Sequence, residues 1–204
     1  VVIIKEGFIS SSNMEVIEKE VMGMAFPWYY SKVSTTSDFP FFMHILMEGK
    51  EKIGEPTVEN STMFPLFEGI LTDFCRENGI VINEILRGCL NLTHHSSVHD
   101  FGDPHVDYPF EIWQVLMYLN EFSNGETLVF SEEYDGSIDP KDYDPRSPEA
   151  NECHIPVSES SDLKVKETIV PEKGKIVGIH GKNYHSAKWC LPSERRVVCV
   201  FSFI

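Results

Sequence analysis

Apolar side chains run almost without interruption through residues 111–119 and 196–204, whereas 12–23 and 64–77 carry them at the wider spacing of an amphipathic helix. Ser12-Asn13-Met14-Glu15 has the spacing of a capping box, Val16, Ile17 and Val21 follow on one helical face, and Gly23 supplies a stop. A short first helix is predicted there. Phe67, Ile70, Leu71 and Phe74 repeat at helical spacing behind Pro65, and Asn78-Gly79 offers a left-handed cap, which predicts a second helix over 64–77. From residue 80 the period changes. The runs 80–82, 111–119, 127–130, 163–170, 175–179 and 196–204 are short, β-rich and separated by Gly, Pro, Asn and Asp, as strands are.

Helices first and strands later read as one α+β domain, with residues 1–79 as a helical N-terminal support and 80–204 as a β-sandwich or barrel core. Residues 131–161, rich in Asp, Glu, Pro and Ser, exceed the usual loop length and are read as an acidic insertion in that core. At 204 residues the chain can bury roughly 70% of its unfolded surface as a single domain, so a metal here would be functional before it is structural. No apolar run approaches the ~20 residues of a membrane span. The opening Val1-Val2-Ile3-Ile4-Lys5 is too short and lacks the basic flank of a secretory signal, and reads as a first strand or a trimmed start.

Cys75, Cys89, Cys153, Cys190 and Cys199 are odd in number and contain no Cys-x-x-Cys, which argues against a disulfide framework or a thiolate zinc site and for a reducing cytoplasm. The net charge of −15 disfavours direct nucleic-acid binding, which depends on cationic side chains displacing phosphate counterions. The acidic run from Glu132 to Asp144 is either a solvated loop or a surface that steers a basic substrate.

In Gly102-Asp103-Pro104-His105-Val106-Asp107, an imidazole and a carboxylate stand two residues apart, and positions i and i+2 of an extended chain project from the same face. Both can reach one metal ion. Two histidines and one carboxylate on one face of iron(II) leave three coordination positions open, so a second histidine is required. His185 answers that need. It follows the strand and Gly turn of Gly174 to Gly181 and precedes Arg195-Arg196 at the head of the last apolar run, where a cation can pair with a dicarboxylate.

These residues, with Tyr118-Leu119-Asn120 and Asn124-Gly125-Glu126-Thr127-Leu128-Val129-Phe130, resemble the iron(II)- and 2-oxoglutarate-dependent dioxygenases, in particular the prolyl-4-hydroxylase-like branch and the small oxygenases of bacteriophages. The resemblance covers about residues 80–204. It implies a double-stranded β-helix, a jelly-roll of the cupin kind, with the N-terminal helices packed on one sheet. It implies that His105, Asp107 and His185 hold iron(II) and that 2-oxoglutarate chelates the metal. The far carboxylate of 2-oxoglutarate then meets Arg196 or Arg195, with Tyr118 hydrogen-bonding the same group. Dioxygen would be the oxidant and ascorbate an accessory reductant. Asn124 stands where the family has a Gly. The resemblance further implies hydroxylation of a protein or peptide side chain, or of a small molecule, in the cytoplasm, the host's if the chain is of phage origin.

Strand parity favours Arg196 over Arg195. With Arg196 inward, Val198, Val200 and Ser202 also face the cosubstrate, and Cys199, Phe201 and Phe203 pack under the helices. Two other readings use the same residues. The histidine group His94, His95 and His99 suits a zinc site, although adjacent His94 and His95 face opposite sides of a strand. A β-helix that binds a metal or ligand without turnover would also keep the fold.

Overall fold

The computed structural model describes residues 1–32, 39–50, 52–136, 138–144 and 153–204. Its elements run β1 (Val2–Lys5), α1 (Ser11–Glu20), β2 (Tyr29–Ser31), β3 (Phe41–Met47), α2 (Phe64–Glu77), β4 (Ile85–His94), β5 (Ile112–Tyr118) and β6 (Thr127–Glu133). They continue with β7 (Val165–Ile169), β8 (Ile176–Gly181), β9 (Asn183–Ala187) and β10 (Arg195–Phe203). The strands form a seven-stranded sheet in the order β1-β8-β5-β10-β4-β3-β2 and a three-stranded sheet in the order β7-β6-β9, every pairing antiparallel. The fold is mostly β, with α1 and α2 against the outer face of the large sheet.

Two apolar layers follow from the alternation of side chains along the central strands. Val197, Cys199, Phe201 and Phe203 of β10 join Val115 and Met117 of β5 in a cluster with Met14 and Ile17 of α1 and Phe67, Leu71 and Phe74 of α2. Val198 and Val200 point the other way, to Leu116, Tyr118, Val177 and Ile179 of the large sheet and Val129 and Ile169 of the small one. The second layer is the space between the sheets, and the metal-ligand candidates lie at its open end.

Local chemistry accounts for the helices. Ser10 caps α1, its hydroxyl accepting from the Asn13 amide, so the helix starts earlier than the Ser12 box predicts. Its buried stripe is Met14, Ile17 and Val21, while Val16 is exposed. Helix α2 has the predicted ends and buries Phe67, Ile70, Leu71 and Phe74. Gly79 takes φ +67°, and the Ile80 amide donates to the Cys75 carbonyl at 2.9 Å. That bond closes the helix and uses the donor a strand at 80–82 would need, so the strand expected there is absent and β4 begins at Ile85.

Residues 1–79 do more than the helical support that the sequence predicts, since β1, β2 and β3 extend the large sheet at both edges. Short apolar runs such as Phe41–Met47 are ambiguous between helix and strand, and pairing with β4 decides this one. Of the acidic segment 131–161, residues 137 and 145–152 lie outside the described residues. No helix among the described residues is long and apolar enough to cross a membrane.

The β4–β10 seam is tight where Gly88 faces Phe201. A Cβ at Gly88 would stand 2.6 Å from Phe201 Cε1 and 3.2 Å from Met47 Cγ, and both neighbours are fully buried. Gly88→Ala is expected to cost about 1–3 kcal/mol through overpacking, read as a lower urea midpoint; an unchanged midpoint would mean that the seam has room.

Candidate metal centre

His105 and Asp107 lie in the connection between β4 and β5, outside any regular strand, and the connection is held by main-chain bonds. The His105 amide donates to the His185 carbonyl at 2.9 Å, and the His185 amide returns a bond to the His105 carbonyl at 2.9 Å. His185 itself sits in mid-strand on β9, opposite Val129 of β6. This reciprocal pair places residues 80 apart in sequence with their rings 4.5 Å apart between centroids. One ligand atom from each of His105, Asp107 and His185 lies within 4.8 Å of the others, a spacing that one divalent ion can bridge.

The protonation pattern suits a cation. His105 Nδ1 donates to the Asp103 carbonyl at 2.9 Å, which leaves the Nε2 lone pair free for a metal. Burial, with the neighbouring His185, holds the His105 pKa down at about 4, and burial lowers that of His185 as well. Burial alone would raise Asp107, but the Arg87 guanidinium and the two imidazoles outweigh it and bring its pKa to about 2. The result near neutral pH is two neutral imidazoles and one carboxylate. Asp107 Oδ2 accepts from Gln114 Nε2 and, at 3.2 Å, from Ser202 Oγ, while Oδ1 lies 3.8 Å from His105 Nε2 and is available as a ligand.

These groups open on a cavity of about 410 Å³ between the sheets. Arg196 also lines it, 6% exposed, with Nε donating to the Gly125 carbonyl at 3.2 Å and Nη2 to Thr127 Oγ1 at 3.0 Å. No carboxylate among the described residues pairs with it, and burial lowers its pKa. Tyr118 lies behind it. The Arg196 guanidinium carbon is 5.7 Å from the Tyr118 ring centroid, and the Tyr118 hydroxyl shares a 2.7 Å bond with Thr127, so Thr127, not Tyr118, presents an oxygen to the cavity. Arg195 is exposed and turns toward Met22 at 4.0 Å, away from the cavity. Asn124, where the family has a Gly, adopts φ +59°, a left-handed conformation that Asn tolerates.

Gln114, Arg87 and His154 are site residues that the sequence reading leaves out, Thr127 is named there only as part of a motif stretch, and Ser202 turns to Asp107 on the inward face that strand parity gives it. Gln114 could have been found as a polar position in the otherwise apolar β5. The alternative zinc group does not assemble: among the described residues the group that could hold a metal ion is His105, Asp107 and His185, whereas His94 faces Phe42 and His95 bonds the Cys190 carbonyl.

The sequence matches no protein-family model and no curated protein sequence. Solved structures match throughout its length. A 2-oxoglutarate/iron(II) oxygenase family oxidoreductase from Burkholderia pseudomallei superposes with a TM-score of 0.62 at 14% identity, over 99% of this chain and 84% of that one. A prolyl hydroxylase from Trichoplax adhaerens, solved with a hypoxia-inducible-factor peptide fragment, gives 0.59 at 13% identity over 99% and 83%. HygX from Streptomyces hygroscopicus, solved with nickel and 2-oxoglutarate bound, gives 0.57 at 11% identity over 99% and 82%.

The titration of the ligands makes a prediction for the metal-free protein. His105 has a folded pKa of about 4 against 6.5 unfolded, so between those values the unfolded chain binds more protons and stability rises with pH. The urea midpoint of chelator-treated protein is expected to fall between pH 7 and pH 5, and His105→Asn to flatten that slope; equal slopes in both proteins would contradict the assignment. The two-sheet architecture and the match along 99% of the chain establish the fold as that of the 2-oxoglutarate/iron(II) oxygenases, the double-stranded β-helix.

Proposed function

We propose that this protein is an iron(II)- and 2-oxoglutarate-dependent dioxygenase that hydroxylates a C–H bond. The observation that carries this reading is a pairing within one cavity: a His-Asp-His set with the spacing and protonation of a metal site, and a buried arginine without a carboxylate partner among the described residues. Burying a cation is costly unless it is paired, and a dicarboxylate that also reaches the metal ligands supplies the partner. A zinc-only site would leave Arg196 unexplained.

His105 Nε2, His185 and Asp107 Oδ1 would hold the ion. Arg196 would bind the far carboxylate of 2-oxoglutarate, its planar fork oriented by Gly125 and Thr127 and backed by Tyr118. Iron(II) with 2-oxoglutarate, when bound, supplies the oxidising chemistry: one atom of dioxygen enters succinate as carbon dioxide leaves, and the other converts the substrate C–H to C–OH. The protein's own part is positional. Gln114 and Ser202 fix the Asp107 carboxylate through Oδ2, the Asp103 carbonyl sets the His105 tautomer, and Leu116 and Val200 keep one wall of the cavity apolar.

The substrate is a protein or peptide side chain, or a small molecule. The Trichoplax neighbour was solved with a peptide and HygX with hygromycin B, so the fold accommodates both. A reducing, cytoplasmic setting suits iron(II) and the five cysteines, all of them buried.

Anaerobic addition of iron(II) and 2-oxoglutarate is expected to give a weak visible charge-transfer band, and its absence from folded protein would rule out the cosubstrate. Asp107→Ala should lose iron retention and succinate release. Arg196→Gln should retain iron while raising the KM for 2-oxoglutarate by about tenfold or more; an unchanged KM would remove Arg196 from the cosubstrate site.

A further inference from the structure

The interior of the cavity has the opposite sign to the protein around it. The chain carries a net charge of −15, yet the cavity is lined by two arginines, Arg87 and Arg196, and by one carboxylate, Asp107. The acidic run does not change this balance. Glu133, Asp135, Asp139 and Asp142 are exposed, and among the described residues the segment lends the cavity the neutral side chains of Tyr143 and His154. A basic substrate steered by that run would meet cations at its destination.

Arg87 and Arg196 serve different parts of the space. Arg196 stands opposite Thr93 and Arg87 opposite Ser202 on the paired strands β10 and β4, and the two rungs are six residue steps of extended chain, about 20 Å of backbone, apart. If the oxygenase reading holds, Arg196 is neutralised by 2-oxoglutarate. The formal positive charges of the ion and both arginines then exceed those of Asp107 and the cosubstrate dianion by one, and the surplus sits at Arg87.

That guanidinium is under-used. Nη2 donates to Cys89 Sγ at 3.3 Å, Nη1 stands 4.0 Å from Asp107 Oδ1, and the side chain is 34% exposed. A guanidinium has five N–H donors, so most of the fork is open to an acceptor from the cavity. Two further polar atoms in the lining, Gln114 Oε1 and His154 Nδ1, are buried without a hydrogen-bond partner. Asn91, four residues along the same inward face of β4 from Arg87 and beyond Cys89, adds a polar group about 13 Å of backbone away.

We propose that the substrate is a small carboxylic acid whose carboxylate is held by Arg87, with Asn91, Gln114 and His154 available to its other polar groups. This rests on the oxygenase reading and deepens it. Because Arg87 lies next to Asp107, the carbon hydroxylated is within a few bonds of that carboxylate. The stoichiometry is that given above, with the acid as the C–H donor.

The test separates this inference from the reading beneath it. Protein loaded anaerobically with nickel(II) and 2-oxoglutarate is titrated by calorimetry with butyrate, benzoate and N-acetylglycine, each against its primary amide. The acids are expected to bind about tenfold tighter than their amides, and Arg87→Gln to reduce that preference to about twofold or less. Nickel content and 2-oxoglutarate affinity are measured on the same variant. Failure of the wild type to take up 2-oxoglutarate sinks the oxygenase reading itself. Normal uptake of 2-oxoglutarate overturns the substrate inference alone if acids bind no better than amides, if the preference survives in Arg87→Gln, or if a lysine-rich or aspartate-rich peptide binds where no small acid does. Loss of 2-oxoglutarate affinity in Arg87→Gln, with nickel retained, would assign Arg87 to the cosubstrate and overturn it as well.

Discussion

Strand β10 lies between β4 and β5, paired to both, and its side chains therefore alternate between two unlike environments with no freedom to slip. A shift of one residue would turn Arg196 and Ser202 into the layer under the helices and Phe201 and Phe203 into the cavity. The cost of burying an unpaired guanidinium against Phe74 and Leu71 forbids that register. The same alternation brings Ser202 level with Gln114 on one side and Arg87 on the other, so three polar side chains from three strands converge on Asp107. The position of the carboxylate is thus a consequence of strand pairing, although Asp107 itself is in a connection.

The histidines are fixed by a different device. His105 and His185 exchange main-chain hydrogen bonds, and His105 also bridges to His154. Backbone geometry, not side-chain packing, sets the distance between the two imidazoles. A candidate metal site built in this way does not require an ion for its assembly, in keeping with a core large enough to fold alone.

Much of this was legible in the chain. Periodicity located α2, β5 and β10, the two-residue spacing identified His105 with Asp107, and the parity of 196–203 chose Arg196 over Arg195. The family resemblance supplied His185 as the third member. The misreadings have physical causes. Residues 80–82 have strand-like composition, but the Ile80 amide is consumed by the helix cap. Strand β4 was overlooked because it mixes Leu86, Leu90 and Leu92 with Arg87, Asn91 and Thr93. That mixture is an alternation with its polar face turned inward, the reverse of the usual sense, and it marks a strand lining a polar cavity. His154 carries no local signal, since its role depends on a bridge to a residue 49 positions earlier.

The large sheet keeps two kinds of variation apart. Groups facing the proposed cosubstrate come from β10 and the start of β6, where Arg196, Thr127 and Gly125 are interlocked by hydrogen bonds and each constrains the others. Groups facing the remaining space come from β4 and the segment after β6, where Arg87, Asn91, Tyr143 and His154 make few bonds to one another. Mutations in the second set can drift without disturbing the first. On the proposed oxygenase reading, a lineage carrying this scaffold can change what it binds at Asn91 and Tyr143 while the arginine site for the cosubstrate stays in place, whereas Arg87 and His154 are tied to Asp107 and His105.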